Sequence, residues 1–96
     1  MKRSVKRMKE IDGIKFGYLC KIFLEYREHM NIDHNSRKLK VSYSWLHQTL
    51  KALERVGLVI LEKRGRQNMI SFTPEGKEAR IMVATLNKLF IVYKEG

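Results

Sequence analysis

Cys20 stands alone in the chain. A single thiol excludes an intrachain disulfide and any zinc site built from several cysteines. It leaves two roles open: a disulfide between copies across a two-fold axis, or the more ordinary role of a small buried hydrophobe. Long apolar runs are also missing. No stretch approaches the roughly 18 residues that a membrane-spanning helix requires. The opening "MKRSVKRMKE" is basic with no long apolar segment behind it, unlike a secretory signal. The expected location is therefore the cytoplasm, in association with the nucleoid, with no membrane partner.

Catalytic material is equally thin. There are 10 carboxylates against 20 lysines and arginines, and they are scattered, whereas a nuclease clusters acidic metal ligands. His29, His34 and His47 share no metal-binding spacing with Cys20 or with a carboxylate pair. There is no glycine-rich phosphate loop and no GxSxG. No catalytic residue, cofactor or metal is expected, and the chain does not read as an enzyme.

What the chain does have is charge and periodicity. A formal net charge of +10 over 96 residues favours a polyanion as partner, nucleic acid before anionic membrane. Hydrophobic residues at 44% and charged residues at 31% are a globular composition. The length suits one domain, and a domain so small buries limited surface, for which pairing with a second copy is a common remedy. Residues 1–10 read as a basic arm, either phosphate-binding or simply solvated, and 11–96 as a single domain.

In "IDGIKFGYLCKIFLEYREHM", Ile14, Tyr18, Leu19, Ile22, Phe23 and Tyr26 recur at three- and four-residue steps, with Asp12 placed to cap the helix they define. Phe16, Cys20 and Leu24 fall beside that stripe, so the apolar arc is wide enough for burial on two sides. "NIDHNSRKLKV" carries turn formers, and Asp33 is placed to cap a short helix ending near Leu39. "SYSWLHQTLKALERVGLV" is the clearest helix, over 42–56. Ser42 or Ser44 caps it, Leu46, Leu50 and Leu53 form a stripe, and Gly57 stands at the stop. The period then changes. Val59–Leu61 and Asn68–Phe72 read as strands, with Met69 out of phase, and "KRGRQ" between them as a basic hairpin tip. "TPEGKEARIMVATLNKLFIVYKEG" opens with a Thr cap and Pro74 at the first helical position. Its apolar positions outnumber what one small core can cover.

The order helix, short helix, helix, hairpin, helix is that of a winged helix-turn-helix. The segment "VSYSWLHQTLKALERVGLVILEKRGRQNMISFTPEGKE" resembles the recognition helix, wing and following helix of MarR- and PadR-type regulators. The resemblance rests on an LxxLExxGLV pattern (Leu50, Leu53, Glu54, Gly57, Leu58, Val59), on the basic wing, and on the "FTPEG" turn from Phe72 to Gly76. It covers about residues 41–79. Upstream, "HNSRKLK" is shorter and more basic than the usual second helix of those families. The implied fold is mainly α with a small β-hairpin, a winged helix-turn-helix whose long terminal helices form a dimer interface.

A recognition helix contacts bases with its N-terminal residues while the opposite stripe packs on the core. The expected DNA contacts on helix 42–56 are Ser42, Tyr43, Ser44, Trp45, His47, Gln48 and Lys51. Trp45 either leans on the first helix or presses on sugar and base, with burial favoured; Thr49 falls on the same flank. Gln48 suits an adenine edge and Ser44 several bases. Arg37, Lys38 and Lys40 precede the helix and are expected near phosphates. Lys63, Arg64, Gly65, Arg66 and Gln67 form the contacting part of the wing, placed over 62–68. The dimer interface is expected from Phe16, Cys20, Leu24, Met82, Leu86, Leu89, Phe90 and Tyr93.

The leading functional expectation is a sequence-specific binder of double-stranded DNA, a small homodimeric transcriptional repressor. The alternatives are a structural DNA-coating protein or partition adaptor, and a winged-helix protein-interaction module; the expected partners are double-stranded DNA, a second copy, and another protein of a regulatory or partition complex. RNA is disfavoured, because the A-form major groove is too narrow for a recognition helix.

Overall fold

The computed structural model describes residues 15–95, with side chains to residue 89. The elements are α1 (Phe16–Glu25), α2 (Ile32–Leu39), α3 (Tyr43–Arg55), β1 (Val59–Arg64), β2 (Gln67–Phe72) and α4 (Pro74–Glu95). Among the described residues no helix is long and apolar enough to cross a membrane.

The core is one cluster to which every element contributes. Ile22, Phe23 and Tyr26 come from α1 and its end, Ile32 and Leu39 from α2, and Leu46, Leu50 and Leu53 from α3; Val59, Ile70 and Phe72 come from the hairpin, and Ala79 and Val83 of α4 pack against it. Tyr26 stacks edge-on against Phe72, ring centroids 6.3 Å apart. Its hydroxyl is buried with no hydrogen-bond partner among the described residues. Burial pushes the phenol above its ordinary pKa and keeps it neutral. Asn35 beside it commits its amide to the carbonyls of Arg27, Met30 and Asn31, and its Oδ1 accepts from the Arg27 amide.

That use of Asn35 explains one departure from expectation. The first helix stops at Glu25 and does not run on towards Met30. Asn35 takes the backbone groups of 27–31 that a longer helix would have used itself, and shapes them into the connection to α2. Asp12, the expected cap, lies outside the described residues, as does the arm over 1–10. The cap of α2 also differs: Asn31, not Asp33, accepts from the amide three residues on, His34, at 2.7 Å. Asp33 instead sits in the first turn, favourable to the helix dipole, and pairs with Arg37.

Both helices of the central pair end in the same way. At the end of α3 the Leu58 amide donates to Leu53 O (2.9 Å) and the Gly57 amide to Glu54 O (3.0 Å), with Gly57 at φ 84°. At the end of α2 the Val41 amide donates to Ser36 O (3.0 Å) and the Lys40 amide to Arg37 O (3.2 Å). These are paired Schellman closures. The second places Lys40, not glycine, at φ 59°, a conformation that costs a side-chain-bearing residue about 1–2 kcal/mol. This strain sits in the turn between α2 and α3.

The hairpin is antiparallel, with register Val59↔Phe72 through Arg64↔Gln67. The pairing runs further than expected. Glu62, Lys63, Arg64 and Gln67 also belong to the strands, and the turn is only Gly65 and Arg66, with Gly65 at φ 61°. Strand alternation sets Val59, Leu61, Lys63, Asn68, Ile70 and Phe72 on the face towards α3. Met69, out of phase with that set, is nevertheless buried. It lies on the other face, beside Glu28 and His29 of the α1–α2 connection.

The start of α4 is anchored to the end of α3. Thr73 Oγ1 donates to Gly57 O (2.6 Å) and accepts from the Gly76 amide (3.0 Å). Arg80 then ties α4 inward: its Nε donates to Phe23 O at 3.0 Å, and its guanidinium lies 4.6 Å from the Phe72 ring centroid. Gly76 passes so close to the start of β1 that a Cβ there would lie 1.9 Å from Leu58 O. Gly76→Ala is therefore expected to cost about 2 kcal/mol or more, lowering the melting temperature by roughly 10 °C in a domain of this size. Gly17, within α1, has open space where a Cβ would stand, with no atom of the described residues within 4 Å, and behaves oppositely. Gly17→Ala is expected to stabilise by about 0.5–1 kcal/mol. Thermal denaturation followed by circular dichroism measures both, and the two variants should move in opposite directions.

Candidate nucleic-acid interface

Ser42 is the cap of α3: its Oγ accepts from the Trp45 amide at 3.1 Å. This settles the choice between Ser42 and Ser44. Leu46, Leu50 and Leu53 are each 0% exposed and set the rotation of the helix. With 100° per residue, Ser44, Gln48 and Lys51 then point away from the core, and all three are exposed. Thr49 is buried and does not reach the surface.

The two edges of this outward strip differ. On one edge are Tyr43 and His47, whose rings stack with centroids 5.8 Å apart and planes 10° apart. The Tyr43 hydroxyl accepts from Asn68 Nδ2 of β2 at 2.6 Å. The wing is thus joined directly to the N-terminal turn of α3. On the other edge Trp45 is half-buried against α1, its ring 5.2 Å from that of Tyr18. Of its two expected placements, Trp45 takes the one against the first helix.

The basic residues separate into two kinds. Arg37 pairs with Asp33, Arg64 with Glu62 at 2.9 Å, and Lys38 Nζ donates to Glu25 O at 3.2 Å. These contacts are exposed, so each is worth little and yields readily to a phosphate. Lys40, Lys51, Lys63 and Arg66 are exposed and carry no ion pair among the described residues; the neutral Gln67 beside them is also exposed. Lys63 is on the α3 side of the hairpin, Arg64 on the opposite side, and Gly65 and Arg66 at the tip. The wing cations therefore do not form a single cluster.

Of the residues expected at a dimer interface, Phe16, Met82, Leu86 and Leu89 are 43–64% exposed. Cys20 and Leu24 are half-buried on α1. The side chains of Phe90 and Tyr93 lie outside the described residues. Ile81, at 67% exposure, adds to the uncovered apolar surface of α4.

Two residues were not anticipated from sequence as partners of α3, Asn68 and Tyr18. Each reaches α3 from a distant segment, and no local spacing signals such a contact.

No family model matches the chain, and no curated protein matches it. Solved structures do. AF1382 from Archaeoglobus fulgidus superposes with a TM-score of 0.72 at 19% identity, over 83% of this chain and 94% of that one. HlyU from Vibrio cholerae N16961 does so with a TM-score of 0.62 at 22% identity, over 93% and 92%. The transcriptional regulator HlyU from Vibrio vulnificus CMCP6 gives 0.58 at 24% identity, over 91% and 86%. The fold is a winged helix. Likeness at these identities establishes the fold alone. The winged-helix part of the sequence resemblance is thereby shown, and its narrower MarR or PadR type is not.

Within this winged helix the Tyr43–Asn68 contact joins the N-terminal turn of α3 to the wing, and the Leu61 amide donating to Glu54 Oε2 (2.8 Å) joins the two nearer the end of α3. Tyr43→Phe, which keeps the stack on His47, and Asn68→Ala are each expected to cost no more than about 1 kcal/mol of stability. Both should speed amide exchange in the hairpin near Asn68, and the double variant should be no faster than either single one. Additive effects on exchange would show that the two side chains act separately.

Proposed function

We propose that the chain is a sequence-specific double-stranded DNA-binding protein, acting as a small dimeric transcriptional repressor. In this reading α3 enters the major groove and the wing follows the backbone or minor groove. The observation that carries it is the pairing of a buried leucine seam with an outward strip of Ser44, Gln48 and Lys51, edged by a wing that bonds to Tyr43. The +10 charge supplies the long-range attraction. One structurally similar protein, from Vibrio vulnificus, is described as a transcriptional regulator, and the reading extends that role to this chain.

The roles divide by position. Gln48 and Ser44 are placed for base edges, and Tyr43 and His47 for the groove wall beside the wing. Ser42, Lys40 and Lys51 serve phosphates, with Arg37 and Lys38 released from their present partners on contact. Lys63, Arg64, Gly65, Arg66 and Gln67 form the wing's contact. Trp45 contributes mainly by fixing the helix against α1. The uncovered apolar surface of Phe16, Ile81, Met82, Leu86 and Leu89 supports a second copy packing along α1 and α4. Two copies would present their helices to successive major grooves about 34–36 Å apart, so the site would be palindromic or pseudo-palindromic.

Gel-shift titration tests this reading. With about 6–10 phosphate contacts in the dimer, affinity is expected to fall about 10³–10⁵-fold between 50 and 200 mM salt. Arg66→Ala should weaken all sequences alike. Gln48→Ala should instead change which sequence is preferred, a discrimination of about 1–3 kcal/mol at one base pair. Footprinting then separates repressor from coating protein: a short protected operator supports the first, and spreading along the duplex supports a DNA-coating or partition adaptor. Absence of binding to any duplex at low salt would point to a module that binds protein.

A further inference from the structure

The edge of α3 opposite the wing is also furnished. Trp45 meets Tyr18 there, and beside Tyr18 an open groove of about 400 Å³ is lined by Lys15, Gly17, Tyr18 and Lys21. Both lysines are exposed. Neither has a carboxylate partner among the described residues, unlike Arg37 and Arg64. Tyr18 is 41% exposed, and its hydroxyl has no hydrogen-bond partner among the described residues. Among the described residues, two ammonium groups without an ion pair and a phenolic hydroxyl without a hydrogen bond therefore border one groove, with no acid in its lining.

We propose that Lys15, Tyr18 and Lys21 form a second backbone contact, holding phosphates of the DNA strand opposite to the one the wing follows. The proposal rests on the DNA-binding reading above. A helix with its side chains is about 10–12 Å across, and the major groove is about 12 Å wide. A helix lying in the groove therefore fills it, and whatever flanks the helix meets the two phosphate walls. The Tyr43 edge carries the wing to one wall. The Trp45 edge carries α1 to the other. Trp45 sets the spacing between α3 and the α1 groove and is a positioning residue. Lys15 and Lys21 supply charge, and the Tyr18 hydroxyl donates to a phosphate oxygen, a common arrangement in DNA interfaces.

The test uses the full chain and a duplex carrying its selected site. Lys15 and Lys21 are replaced together by alanine, and in a second variant by arginine; Arg66→Ala serves as the wing control. Affinity is measured against salt, and the contacted phosphates are mapped by ethylation interference. Losing two phosphate contacts per protomer should reduce the salt slope by about 1.8 per protomer. Interference should vanish at phosphates on the strand opposite those lost in Arg66→Ala. The arginine variant should retain both slope and map, and base preference should be unchanged. The proposal is overturned if the wild-type protein binds with its steep salt slope while the alanine variant keeps that slope and map. It is equally overturned if the alanine variant alters only the oligomeric state in sedimentation, which would make the groove a contact for a second copy. Failure of the wild-type protein to bind any duplex would instead remove the DNA-binding reading, and this contact with it.

Discussion

Leu46, Leu50 and Leu53 lie along one side of α3 and are wholly shielded from water. Their burial fixes the rotation of the helix about its axis. Turning it by even one residue step would expose a leucine and bury Gln48 or Lys51, and loss of a single such leucine typically costs about 2–5 kcal/mol. Everything outward on α3 follows from this seam. It keeps Ser44, Gln48 and Lys51 in solvent, and it puts two unlike edges within reach of the hairpin and of α1. The Schellman closures at both ends of the α2–α3 pair and the Ser42 cap then set where the helix starts and stops.

Around that helix the charges are arranged in two states. Arg37 and Arg64 rest on neighbouring carboxylates, and Lys38 on a backbone carbonyl. Such exposed contacts hold the side chains loosely. Among the described residues, Lys15, Lys21, Lys51 and Arg66 are not engaged in this way. A polyanion approaching this surface meets free cations first and competes for the rest. Contacts on both sides, the Tyr43 hydroxyl with Asn68 and the Tyr18 ring with Trp45, brace the helix against the elements that carry those cations.

Much of this was legible in the chain, and the reason is periodicity. The leucine stripe, the serine cap and Gly57 act within a few residues of one another, so their spacing reports the helix directly. The Thr73–Pro74–Gly76 start of α4 was equally plain, although only the structure shows that Gly76 is required by its approach to Leu58. Where local chemistry was degenerate, the outcome was not readable. Asn31 and Asp33 are both competent caps, and Asn31 caps the helix. The polar run KRGRQ permits a long loop, but cross-strand pairing carries through to Arg64↔Gln67. The early end of α1 depends on Asn35, a residue of the next helix that takes over the backbone of the connection. The contacts that define the two edges of α3, Tyr43 with Asn68 and Tyr18 with Trp45, join residues far apart in the chain. Only the packed fold brings them together.

In the proposed mode of binding, the leucine seam aims one strip of α3, with the wing beside it, at a duplex. Amide hydrogen exchange of the full chain, with and without its bound duplex, tests this most directly. Added protection is expected in the N-terminal half of α3, around residues 42–51, and in the hairpin around 63–68. Protection confined to the second half of α4, with α3 and the hairpin exchanging as in the free protein, would contradict it.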